Sequence, residues 1–181
     1  MYAGKIMTTT ALSEQHLELL RDRLLERGQR PSLVLAGGAA SAAVIEAIQV
    51  VEEYGPLCEL SYLIMIADNK VSNLERDVLR GALRTISNNL VRSSHMESMI
   101  DHIAHQVVEQ GAPARLNHAI ARLLHMPARA EVAYIIAHAV AEADGPAVES
   151  EKQVLATIAQ GLGIHPRKAI ELLTQLGVHS L

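Results

Sequence analysis

Apolar positions recur along this chain at three- and four-residue steps, the spacing that gathers side chains on one face of an α-helix. Leu12, Leu19, Leu20 and Leu24 keep that spacing with charged residues between them, predicting a helix over Ser13–Arg27 that stops at Gly28. A second helix is predicted over Ala39–Tyr54, ended by Gly55-Pro56. The third, over Leu57–Ala67, is apolar on nearly all sides and therefore central and buried. A fourth spans Asn73–Val91, with Leu79, Leu83 and Ile86 among its inward positions. A fifth runs over His95–Gln110 and is closed by Gly111-Ala-Pro113. Further helices follow at Ala114–His125, Ala128–Ala143, Val148–Gly161 and Pro166–Leu176. Short Gly, Pro and Asn punctuation makes neighbours antiparallel, and no domain linker interrupts them. The expected fold is all-α, a single compact bundle of eight or nine helices.

Composition supports that class. The 181 residues are 49% hydrophobic and 20% charged, enough for one real core. Trp and Phe are absent and only four Tyr occur, which disfavours an all-β domain and base-stacking platforms. A net charge of −4 gives no basis for nucleic-acid binding. The single cysteine, Cys58, lies in an apolar run and is expected in the core, as in a reducing cytoplasm. No secretory signal is expected from the N-terminal residues. Ser32–Val51 approaches membrane-span length, but Gly37-Gly38 interrupts it and Glu46 lies inside it. A buried or partner-facing helix is expected there, with no transmembrane segment.

Candidate chemistry lies in an internal echo. Ala67, Asp68, Glu75, Val78 and Leu79 recur as Ala143, Asp144, Glu151, Val154 and Leu155, 76 positions on. Each copy follows an apolar helix and opens an amphipathic one, so two pseudo-repeated helix hairpins are expected. Alanine, valine and leucine matches follow from helix packing alone, whereas the acidic matches do not. An Asp, then Asn or Gly, then Glu seven positions after the Asp copies the second half of a calcium EF-hand loop. The first-half ligand positions fall on Ile64 and Ile66, or on Val140 and Glu142, so neither copy is an EF-hand by itself. Facing each other, the two turns would pool Asp68, Glu75, Asp144 and Glu151 as hard oxygen ligands for Ca²⁺ or Mg²⁺.

A purely structural alternative stands beside this one. Ser72-Asn-Leu-Glu75 is a capping box, and Asp68-Asn69 is ordinary turn chemistry. The second copy fits capping less well, since Val148 stands where the cap serine would be. Two other clusters read mainly as solvated faces: His95, Glu97, Asp101, His102 and His105 on the fifth helix, and the Arg76, Arg80, Arg84 stripe on the fourth. No phosphate-loop, zinc-protease or nucleophile-elbow motif occurs.

The segments Ala67-Asp68-Asn69-Lys70-Val71-Ser72-Asn73-Leu74-Glu75 and Glu142-Ala143-Asp144-Gly145 through Glu151, followed by Ile158–Ile164, resemble the tellurite-resistance TerB-like family. The resemblance covers roughly residues 45–176, with Asn69 replacing the usual Gly and Pro146-Ala147 departing from the pattern. It implies an all-helical cytoplasmic protein of chemical-stress resistance, divalent-metal binding at the acidic turn residues, and a TerC-type membrane partner. Residues 1–44 have no counterpart and are expected to form an N-terminal helical extension to a domain at 45–181. The expected function is a non-catalytic, divalent-metal-binding regulatory or protein-interaction module. Its rivals are a metal-free homodimeric scaffold and a Mg-dependent phosphohydrolase.

Overall fold

The helical periodicity is realised in a computed structural model that describes residues 42–175; the predicted helix over Ser13–Arg27 falls outside them. Among the described residues there are seven helices and no strand. In chain order these are α1 (Ala42–Met65), α2 (Asn73–Ile86), α3 (Ser93–Gln110), α4 (Ala112–Leu123), α5 (Pro127–Ala141), α6 (Glu149–Gly161) and α7 (Pro166–Gln175). Of the nine predicted segments, one lies outside the described residues and two others merge. The segments predicted over Ala39–Tyr54 and Leu57–Ala67 are one helix, and Gly55-Pro56 lies inside it.

Proline in a helix interior removes one N–H and leaves the carbonyl four residues earlier without its helical partner, a cost of about 3 kcal/mol or more. In α1 that carbonyl belongs to Glu52, and Nη2 of Arg122 on α4 donates to it at 3.1 Å. The rest of the cost is offset by burial. Leu57, Cys58 and Leu60 follow the proline at 0–1% exposure, each fully buried apolar side chain contributing about 1.5–3 kcal/mol. Tertiary packing thus overrides a local helix-breaking signal.

α1 packs against α2, α3, α4, α5 and α6, so it is the hub of the bundle. Its partner in the interior is α5, where every residue from Val132 to Ala141 is buried. Alanines at 130, 133, 137, 139 and 141 let neighbouring helices approach α5 closely. Two ion pairs tie the hub to its neighbours. Arg115 Nε of α4 meets Glu59 Oε1 at 2.6 Å, and Arg129 Nη2 of α5 meets Glu53 Oε1 at 2.8 Å. The Glu59 pair is almost wholly buried, and loss of one partner in such a pair costs about 3–5 kcal/mol. Cys58 is fully buried, and burial pushes its thiol up to about 12, as expected of an inert core residue. Gly161 is the last residue of α6, where the predicted helix over Val148–Gly161 also ends. A Cβ there would lie 2.8 Å from Cδ1 of Ile120, so close approach of α4 is what excludes a side chain.

Arg122→Ala should destabilise the protein by about 0.5–1.5 kcal/mol. In a Pro56→Ala background, where an N–H again reaches the Glu52 carbonyl, the same change should cost close to nothing. Denaturant unfolding of the four proteins of this double-mutant cycle measures the coupling directly.

Candidate functional site

Both acidic turns begin where an interior helix runs out. α1 ends at Met65, and the chain turns through Asn69, whose φ of +63° is the left-handed conformation that Asn tolerates better than most residues. Asp68 Oδ1 accepts the Lys70 backbone N–H at 2.8 Å, an Asx-type turn. The chain then enters α2 through the full capping box read from the sequence. Ser72 Oγ accepts the Glu75 N–H at 3.1 Å, and Glu75 Oε2 accepts the Ser72 N–H at 2.6 Å.

The second turn follows α5 and repeats only part of this. Glu151 Oε2 accepts the Val148 N–H at 2.7 Å, the same back-bond made by Glu75. Val148 supplies no side-chain cap, so half of the box is missing. Gly145 has a φ of +153°, not the left-handed helical value of Asn69 at the matching sequence position. The two turns therefore share the buried glutamate and differ in backbone path.

Glu75 is 2% exposed and Glu151 6%, whereas Asp68 is half-buried and Asp144 exposed. Burial raises the pKa of Glu75, against the Ser72 hydrogen bonds, and the charges of Asp144 and Asp68 raise it further. Glu151 is raised by burial against its bond to Val148, and then by Glu75, Asp68 and Asp144. Each buried glutamate thus lies within electrostatic reach of carboxylates on both turns. Among the described residues, none of the four carboxylates is ion-paired with a Lys, Arg or His.

Electrostatic reach is a looser condition than ligation. Among the described residues no three His, Cys, Asp or Glu side chains are grouped tightly enough to hold a metal ion. Asp68 and the two glutamates each use one oxygen for a backbone N–H. Each keeps its second oxygen outside that bond, so the donor set is hard, anionic and compatible with Ca²⁺ or Mg²⁺ without being drawn together.

Of the rival clusters, Asp101, His102 and His105 lie on an exposed face, and only Glu97 and two arginines are drawn into a contact between helices. Glu97 receives Arg76 at 3.0 Å and Arg80 at 3.2 Å, which ties α2 to α3 and consumes two members of the arginine stripe. Arg80 also pairs with Asp77, and Arg84 donates to Asn89. His95 Nδ1 lies 3.2 Å from the Leu90 carbonyl, and His105 faces Glu109 rather than Asp101.

An all-α bundle whose two interior helices deliver paired acidic turns defines the class of protein. The family model described as "Tellurite resistance protein TerB" matches residues 56–174, well over half of the chain. The chain belongs to the TerB family. No curated protein and no solved structure matches it. No helix among the described residues is long and apolar enough to cross a membrane.

The raised carboxylates give stability a predictable pH dependence. A folded-state pKa above the unfolded one means that ionisation costs the folded state. Stability from Glu75 and Glu151 is fully present below their unfolded value and is lost as pH rises through the folded values. Glutamine keeps the capping acceptor without the charge. Glu75→Gln/Glu151→Gln should raise the metal-free melting temperature at pH 7 by about 2–4 °C. That gain should vanish near pH 4, a comparison that thermal unfolding by circular dichroism makes directly.

Proposed function

We propose that this protein is a non-catalytic stress-response module of the tellurite-resistance type, in which Asp68, Glu75, Asp144 and Glu151 bind a divalent cation. The observation that supports this reading is that each buried glutamate is raised by charges on both turns, Glu75 by Asp144 and Asp68, and Glu151 by Glu75, Asp68 and Asp144. Four carboxylates without a cationic side-chain partner among the described residues gain from any added positive charge, and hard oxygens favour Ca²⁺ or Mg²⁺. The second oxygens of Glu75 and Glu151, with those of Asp68 and Asp144, would hold the ion. The ion would supply charge neutralisation and a fixed distance between the start of α2 and the start of α6. Occupancy then governs docking to a protein partner, for which the family resemblance suggests a TerC-type membrane protein. On this reading the protein is cytoplasmic, with a domain at 45–181; the extension expected over 1–44 lies almost wholly outside the described residues.

Because the ligands are not gathered in advance, affinity should be modest, with Kd on the order of 10⁻⁴–10⁻³ M. Calorimetric titration of CaCl₂ and MgCl₂ should give saturable heats with the wild type and none with Asp68→Asn/Asp144→Asn. At a cation concentration of 100 Kd, linkage adds about 2.7 kcal/mol to the stability of the wild type alone. Equal, negligible heats and unchanged melting in both proteins would overturn the cation reading.

A metal-free homodimeric scaffold is the second reading. Ile48 and Val51 support it, since both are more than 40% exposed on the N-terminal half of α1. Under that reading sedimentation equilibrium returns a dimer that Val51→Glu dissociates, with or without cation.

A further inference from the structure

A cleft of about 630 Å³ lies between α5, α6 and α7, a volume in the range of small-molecule sites. None of the four turn carboxylates lines it, so it is independent of the cation reading. Its walls are largely apolar, with Ala159 from α6, Ile164 from the connecting loop, and Ala169, Ile170 and Leu173 from α7. Ile170 is 59% exposed, a large apolar side chain that the packing of the described helices leaves uncovered. The polar lining is sparse: Tyr134 and His138 from α5, Gln160 from α6, and His165 before α7. No Lys, Arg, Asp or Glu is among the lining residues.

His138 is only 8% exposed, and its hydrogen-bonding capacity is not met within the protein. Its Nδ1 is the one sealed side-chain nitrogen or oxygen without a hydrogen bond among the described residues. Glu142 Oε2 lies 3.5 Å from that nitrogen, a loose electrostatic contact one helical turn away. The carboxylate favours the proton on Nδ1, which leaves the lone pair on Nε2. Nε2 is not sealed, and the imidazole lines the cleft. Tyr134 packs edge-on against the ring, with centroids 6.2 Å apart, and fixes its plane. Burial lowers the imidazole's pKa against the pull of Glu142, in keeping with a neutral ring.

The chemistry of an occupant follows from what this wall offers and withholds. A neutral Nε2 accepts a hydrogen bond and asks for a donor. An anion would meet no Lys or Arg side chain on the walls and would stand across the ring from Glu142. An ammonium group would find no carboxylate on the walls and would lose its hydration. An uncharged donor on an apolar body meets neither penalty.

We propose that this cleft binds a small uncharged molecule with an apolar body and one hydroxyl group, a phenol or an alcohol, whose O–H donates to Nε2 of His138. The site holds its ligand through that single directional bond and through apolar contact with α6 and α7.

Fluorescence titration of the full chain with 2-naphthol tests the proposal, and the absence of Trp leaves the probe's emission clear of indole background. Saturable binding is expected, about tenfold tighter than that of 2-methoxynaphthalene, which lacks the donor, or of 2-naphthoate, which adds a charge. His138→Phe keeps an aromatic ring beside Tyr134 and should erase the preference for naphthol over its ether. Ala156→Leu fills the cleft from an exposed position on its wall and should abolish binding while leaving the helical circular dichroism unchanged. No saturable binding to the wild type, equal affinity for the hydroxyl and ether probes, or full affinity in Ala156→Leu would each overturn it. The probe comparison on the wild type decides the matter even if His138→Phe does not fold.

Discussion

Two helices of this bundle start with a glutamate that must be buried to satisfy the backbone. At the beginning of α2 and of α6, an orphan N–H is met by the side chain of Glu75 or Glu151. Burial of a hydrogen-bonded carboxylate is tolerable, but burial of two beside two aspartates adds repulsion to desolvation. Both glutamates respond by holding protons more tightly than an exposed carboxylate does. That tension is a property of the fold itself, since removing either glutamate side chain leaves the N–H of Ser72 or Val148 without its acceptor. A cation relieves it without disturbing the caps, because each glutamate keeps an oxygen outside its backbone bond.

The convergence of the turns has a plain architectural cause. Each turn hangs from the C-terminal end of an interior helix, α1 or α5, and those two helices pack against each other. The helices that leave the turns, α2 and α6, pack back onto both. Residues 76 positions apart in sequence are thereby brought within reach of one another's charge. The same arrangement leaves α7 with the lightest packing, against α5, and it is beside α7 that the His138 cleft opens.

Much of this was legible in the residues. Helical spacing located the described elements, usually to within a few residues, and the Ser72–Glu75 capping box formed as its spacing implies. The burial of Cys58 followed from its apolar neighbourhood. Gly55-Pro56 misled because a local rule met a tertiary remedy: Arg122, distant in sequence, reaches the carbonyl that proline orphans. The Glu59–Arg115 pair was illegible for a related reason, since no periodicity links a glutamate on α1 to an arginine on α4. The arginine stripe showed its spacing but not its partner, Glu97, which lies on the following helix. His138 carried no ligand spacing, and only the packing around it reveals an imidazole left short of hydrogen bonds. In the second acidic turn, the Val148 and Pro146-Ala147 departures from the pattern foreshadowed a backbone path unlike the first.

Charges on the two turns sense one another through the folded protein. Carboxyl ¹³C chemical shifts of Glu75 and Glu151, followed through a pH titration in cation-free buffer, report that most directly. The account predicts that both glutamates titrate above the ordinary carboxylate range. It also predicts that Asp144→Asn, on the second turn, lowers the pKa of Glu75 on the first. A Glu75 that titrates at its ordinary value and ignores the loss of Asp144 would contradict it.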